Sequence, residues 1–77
     1  YGLLRAMDIG KQVGLNVKRI RRAKGLSQEK LAFECGLHRT YISGIERGVR
    51  NPTVGKLDQI AKALGVKPHL LLAPARN

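Results

Sequence analysis

Tryptophan is missing from this chain, and its whole aromatic content is Tyr1, Phe33 and Tyr41. Single-strand nucleic-acid recognition, which stacks bases on several exposed rings, is poorly served by so few. The core has to be built from Leu, Ile, Val and Ala. A lone cysteine excludes an internal disulfide and leaves no second thiol for a metal site. Cys35 falls on the apolar phase of its segment, which reads as a buried, inert thiol in a reducing, cytoplasmic setting. No apolar run approaches the ~20 residues of a membrane span, so no membrane-spanning segment is expected. "YGLLRAM" is too short for a signal peptide. With Met7 as a natural start, the first six residues read as a tag or upstream remnant.

Catalytic patterns are equally scarce. Ser27 and Ser43 have no His and acid spaced for a triad. Gly10 and Gly14 lie inside a helical pattern with no strand before them, so they do not cradle phosphate. His38 and His69, with one Cys, do not make a metal-ligand set. No enzyme, metal or cofactor is expected.

Acids are few: five Asp and Glu stand against fifteen Lys and Arg, for a net charge of +10 on 77 residues. A field of that size on one small domain attracts a polyanion. DNA, RNA, an acidic membrane and an acidic protein are the partner classes that follow.

The apolar residues Ile9, Val13, Val17 and Ile20 recur at helical intervals over residues 9–24, with Asp8 as N-cap and Gly25 as stop. Gly10 and Gly14 are expected to weaken the first two turns. Ser27 caps a second, short helix with Glu29 in its first turn and Leu31, Ala32 and Cys35 inward. Lys30 stands where a full capping box needs Glu or Gln. Gly36 ends that helix. A third begins at Leu37 or His38 and runs to about Arg47, with Ile42 and Ile45 inward. Thr53 caps a fourth, carrying Val54, Leu57, Ile60, Ala61 and Leu64 and ended by Gly65. Pro68 opens a last one, His69 to Leu72. The reading is an all-α, single five-helix domain over residues 9–72, with tails at 1–8 and 73–77.

Helices two and three share so short a connection at Gly36 that they must cross steeply, as in a helix-turn-helix. Ala32 is small where the third helix approaches, and Ile42 and Ile45 fill the angle with Leu31. The segment "IRRAKGLSQEKLAFECGLHRTYISGIERGVRNPTVGKLDQIAKALGV" resembles the Cro/phage-repressor (XRE) class of helix-turn-helix regulators, with the motif at about 28–47 and a lambda-repressor-like fold. "RTYISGIERGVRNP" is similar to the controller proteins of restriction–modification operons.

That resemblance implies a role for each polar residue around the third helix. In this architecture the helix enters the major groove by its N-terminal end. Arg39 can donate two hydrogen bonds to guanine, and Thr40 can reach a base edge or a thymine methyl. Tyr41 can contact a phosphate or pack on the sugar edge. Gln28 stands where relatives hold a phosphate or brace a base-reading side chain. Ser43 and Arg47 lie on the exposed side. Arg50 and Asn51 stand where relatives contact the backbone and sometimes a base, although a plain turn before Pro52 is the alternative for both. Gly44 departs from repressors that read bases with a long side chain there, which shifts weight to DNA shape. Arg21 and Glu46 match a buried ion pair bracing helix one against helix three.

Val66, Leu70, Leu71 and Leu72 carry more apolar surface than one small domain needs, which suggests a two-fold dimer through the region where family members pair. The expected function is sequence-specific binding of double-stranded DNA by a homodimer on a palindromic operator, with RNA polymerase as a further candidate partner. The alternative is an antitoxin-like protein-interaction module that also binds its own operator.

Overall fold

The Asp8 carboxylate accepts a 2.7 Å hydrogen bond from the Gly10 N–H and so starts the first helix. The computed structural model describes residues 8–74. Among them are α1 (Ile9–Ala23), α2 (Gln28–Cys35), α3 (Arg39–Glu46), α4 (Val54–Leu64) and α5 (His69–Leu72). The suggested tag at the first six residues, and most of both tails, lie outside the described residues.

Local chemistry accounts for the ends of the helices. Ser27 Oγ accepts from Lys30 N–H at 2.9 Å and Thr53 Oγ1 from Lys56 N–H at 3.1 Å, each satisfying a donor that the first turn leaves open. α2 stops at Gly36, whose φ of 71° is left-handed, and Leu37 N–H then returns to the Ala32 carbonyl at 2.9 Å. His38 takes the N-cap position of α3 without a side-chain cap bond, so that helix starts one or two residues later than its apolar spacing suggests.

Packing joins the helices as two arms around α3. α1 lies on α3 and α5, and α2 lies on α3 and α4. Val17, Leu31, Ile42, Ile45, Ile60 and Leu71 are completely buried at the centre. Each such aliphatic side chain contributes roughly 1.5–3 kcal/mol relative to exposure. Cys35 joins this core, and the Gln59 Nε2 amide donates to its carbonyl at 3.0 Å, closing the end of α2.

The two glycines of α1 serve packing instead of loosening its start: both are buried, and the helix is regular from Ile9. A Cβ on Gly14 would collide with the carbonyl oxygen of Ile45 and stand 2.9 Å from that of Glu46. Only hydrogen there lets α1 cross the last turn of α3 at backbone distance.

Asn16 is fully buried on the same helix. Its Nδ2 donates to the carbonyls of Leu71 at 2.9 Å and Ala73 at 2.8 Å, while Gln12 Nε2 donates to that of Leu72 at 2.9 Å. These side chains satisfy the carbonyls that a four-residue helix leaves open at its end. One expectation is corrected here. Leu71 is fully buried inside the monomer, while Leu70 is 41% and Leu72 44% exposed. Successive helical side chains point about 100° apart, so of three adjacent leucines only one points into the core. Val66 is half-buried and packs against the core.

Among the described residues, no helix is long and apolar enough to cross a membrane.

Candidate nucleic-acid interface

Residues three and four apart share a helix face, and α3 divides cleanly on that rule. Ile42, Ile45 and Glu46 are buried, whereas Arg39, Thr40 and Arg47 are exposed and Ser43 is half-buried. The exposed ridge has a polar side chain at each of those positions. Tyr41 sits at its edge, packed against the core through its ring.

A hydrogen-bonded chain runs from the interior to the tip of this ridge. Arg21 Nε donates to Glu46 Oε2 at 2.6 Å and Arg21 Nη2 to Glu46 Oε1 at 3.0 Å, a fork on fork. Arg21 Nη1 also donates to the Leu26 carbonyl at 2.7 Å, at the entry to α2. The hydrogen bonds to Glu46 hold the Arg21 guanidinium above its ordinary value, against the opposing cost of burial. Gln28 extends the chain outward. Its Nε2 donates to Glu46 Oε1 at 2.9 Å, and its Oε1 accepts from Arg39 Nη1 at 3.2 Å. An amide between a carboxylate and a guanidinium has one favourable orientation, with nitrogen toward the acid and oxygen toward the base. Arg39 is thus aimed from the core, through two intermediates. Gln28 is thus occupied at both ends as a brace.

The loop after α3 folds back along the same ridge. The Gly44 carbonyl accepts from the N–H groups of both Val49 and Arg50, at 3.0 and 3.2 Å. That turn lays the Arg50 stem against Gly44, where a Cβ would stand 3.2 Å from Arg50 Cγ. The Arg50 guanidinium lies over the Tyr41 ring, 5.4 Å from its centroid, within cation–π range. Arg47 Nε reaches Ser43 Oγ at 3.4 Å one turn back along α3. Asn51 stands apart from this stack, with its side chain over Gly10 of α1. Even so, Asn51 lines one open, polar concavity beside the helix together with Thr40, Tyr41, Gly44, Arg47, Val49 and Arg50.

The structure therefore brings Gln28, Arg39, Thr40, Tyr41, Ser43, Arg47 and Arg50 to one side, with Asn51 at its border next to α1. Lys11, which the sequence reading did not single out, borders the same turn. It is exposed on α1 and touches the turn after α3, where a Cβ on Gly48 would stand 2.7 Å from Lys11 Cγ. Only the crossing of α1 over α3 places it there, and its own segment carries no sign of that. On the described residues no three His, Cys, Asp or Glu side chains gather where a metal ion could be held.

Comparison with known proteins agrees with this geometry. A family model described as helix-turn-helix matches residues 17–71. Control protein C.BamHI of Bacillus amyloliquefaciens is 60% identical over 60 residues, covering 77% of this chain and 74% of that protein. The crystal structure of the restriction–modification controller protein C.AhdI from Aeromonas hydrophila superposes with a TM-score of 0.79 at 44% identity, over 80% of this chain and 94% of that one. The controller protein C.Esp1396I, as a tetramer in complex with its natural 35 base-pair operator, gives a TM-score of 0.76 at 44% identity, over 82% of this chain and 83% of that one.

Proposed function

The chain belongs to the helix-turn-helix family, and from that premise we propose that it is a transcriptional regulator that binds a palindromic operator in double-stranded DNA as a homodimer. The observation that carries this reading is the division of α3. Its inner face is locked into the core by Ile42 and Ile45, and its outer face presents Arg39, braced by Gln28, beside Thr40. A rigid helix with a polar, preorganised first turn is what the major groove accepts.

In this reading Arg39, Thr40 and Arg50 read base edges, Tyr41 lies beside Arg50 at the groove, and Ser43, Arg47 and Asn51 hold the backbone on either side. The net charge of +10 makes the affinity fall steeply with salt. Dimerisation uses the exposed Leu70 and Leu72 together with Ile9 and Val54, which are 56% and 85% exposed. Ile9, Val54 and Leu72 border one apolar depression, so a second copy covers a continuous surface. Two-fold symmetry then sets the recognition helices about one DNA turn, ~34 Å, apart.

The similarity to control proteins supports a controller role in a restriction–modification operon. Occupancy decides the output: bound over a promoter the dimer blocks RNA polymerase, and bound upstream it contacts the enzyme. The site of action is the cytoplasm, in keeping with a reduced, buried Cys35.

Selection from a randomised duplex pool at near-physiological salt tests the reading. Enrichment of a palindrome with half-sites about 10–11 base pairs apart is the expected result. Binding without enrichment, falling only as salt rises, overturns it.

A further inference from the structure

Gly44 occupies the middle of the recognition ridge, one turn after Thr40, and brings no side chain to the groove. The space beside it is filled from elsewhere in the chain. The Gly44 carbonyl holds the Val49 and Arg50 N–H groups, and the Arg50 Cβ and Cγ lie where a Cβ on Gly44 would stand only 3.3 and 3.2 Å away. Tyr41, three residues before Gly44 and so on the same face, lies under the Arg50 guanidinium at 5.4 Å. The Arg50 stem is therefore fixed at its base and its planar head at the tip, although the residue belongs to a loop.

We propose that Gly44 and Tyr41 are positioning residues that seat Arg50 on the recognition helix, so that Arg50 reads the base pair a side chain at position 44 would otherwise reach. The proposal rests on the operator-binding reading above. A seated guanidinium loses less side-chain freedom on meeting a guanine than a free loop arginine does, and its fork fits O6 and N7 together. Even a methyl group on Gly44 pushes the stem away by a few tenths of an ångström. A longer side chain takes the place outright.

The test is duplex selection and quantitative binding with the full chain carrying Gly44→Ala, Tyr41→Leu, Arg50→Lys, Arg50→Ala, and Gly44→Ala combined with Arg50→Ala. Thermal melting is measured for each variant. Arg50→Lys keeps the charge and loses the fork, so it is expected to lose about tenfold or more of the preference at one base position per half-site while keeping the salt slope. Gly44→Ala and Tyr41→Leu are expected to weaken that same position and no other. Alanine is the better helix former, so Gly44→Ala has no intrinsic reason to melt α3. In the Arg50→Ala background, Gly44→Ala is expected to change the selected sequence no further, because its effect passes through Arg50.

Three results overturn the proposal. One is a selected operator that Gly44→Ala leaves unaltered. Another is an Arg50→Ala chain that keeps the full base preference and loses only about one unit of salt slope, the mark of a phosphate contact. The third is an equal, sequence-independent loss for Gly44→Ala with and without Arg50. All three leave the wild-type palindrome standing, whereas failure of the wild type to enrich any sequence removes the operator-binding reading itself.

Discussion

Arg21 and Glu46 face each other across the junction of α1 and α3, joined by two hydrogen bonds and almost wholly shielded, at 9% and 3% side-chain exposure. Such a pair is costly to bring out of water, and costlier to break than to replace. Glu46→Ala or Arg21→Ala is therefore expected to lose ~3–5 kcal/mol of stability, since either leaves an unpaired charge in the interior. Replacing both by Met and Leu should cost less than either single change. Urea denaturation followed by circular dichroism measures all four chains. Equal, additive losses would mean that the two residues act separately.

Arg39→Ala is expected to lose ~1–3 kcal/mol of discrimination at one base position in each half-site. Gln28→Ala should weaken the same position by less, because Arg39 keeps its fork and loses only the brace at 3.2 Å. Competition binding against single-base operator variants separates the two. A uniform loss across all operators would make Arg39 a backbone contact instead.

The adjacent leucines of α5 are expected to fail in different ways. Leu70→Asp puts a charge on a surface 41% exposed in the monomer, and should give a folded monomer by sedimentation with weakened operator binding. Leu71→Ala opens a cavity in the core and should cost ~2–5 kcal/mol without shifting association directly. A dimer that survives Leu70→Asp would move the interface off this helix.

The Cys35 thiol is pushed up, first by burial and then by the nearby Glu34 carboxylate. The native thiol therefore keeps its proton at pH values where the unfolded chain loses it, and stability falls as pH rises past the ordinary thiol range. At neutral pH, labelling by a disulfide reagent is expected to be on the order of tenfold slower in the native chain than in denaturant. Equal rates would show a thiol open to solvent and available to oxidants.

Much of the architecture was legible from single residues. Asp8, Ser27 and Thr53 could be read as caps because a short side-chain oxygen before an apolar period has little else to do. Gly36 marked its turn for an equally local reason. The rest depended on residues distant in the chain. Nothing near Asn16 in the chain marks it for burial, because its carbonyl partners come from α5 and the residue after it. Leu71 could not be told from Leu70 and Leu72, because four residues are too few to show a period. Gly44 read as a missing contact, when its neighbour from the following loop fills the space. For Gln28 the resemblance offered a phosphate contact or a brace, and only the hydrogen bonds to Glu46 and Arg39, from elements far apart in the chain, are those of a brace.

The contact of Gly14 with the backbone of Ile45 and Glu46 has a bearing on how this scaffold could be diversified. Whatever aligns α3 enters from behind, through an interface with no side chain at its closest point, and the residues in front share none of that burden. A library randomised at positions 39, 40 and 43 should retain a high fraction of folded members. The same diversity introduced at position 14 should yield almost none, because every alternative there pries two helices apart before any new specificity can be expressed.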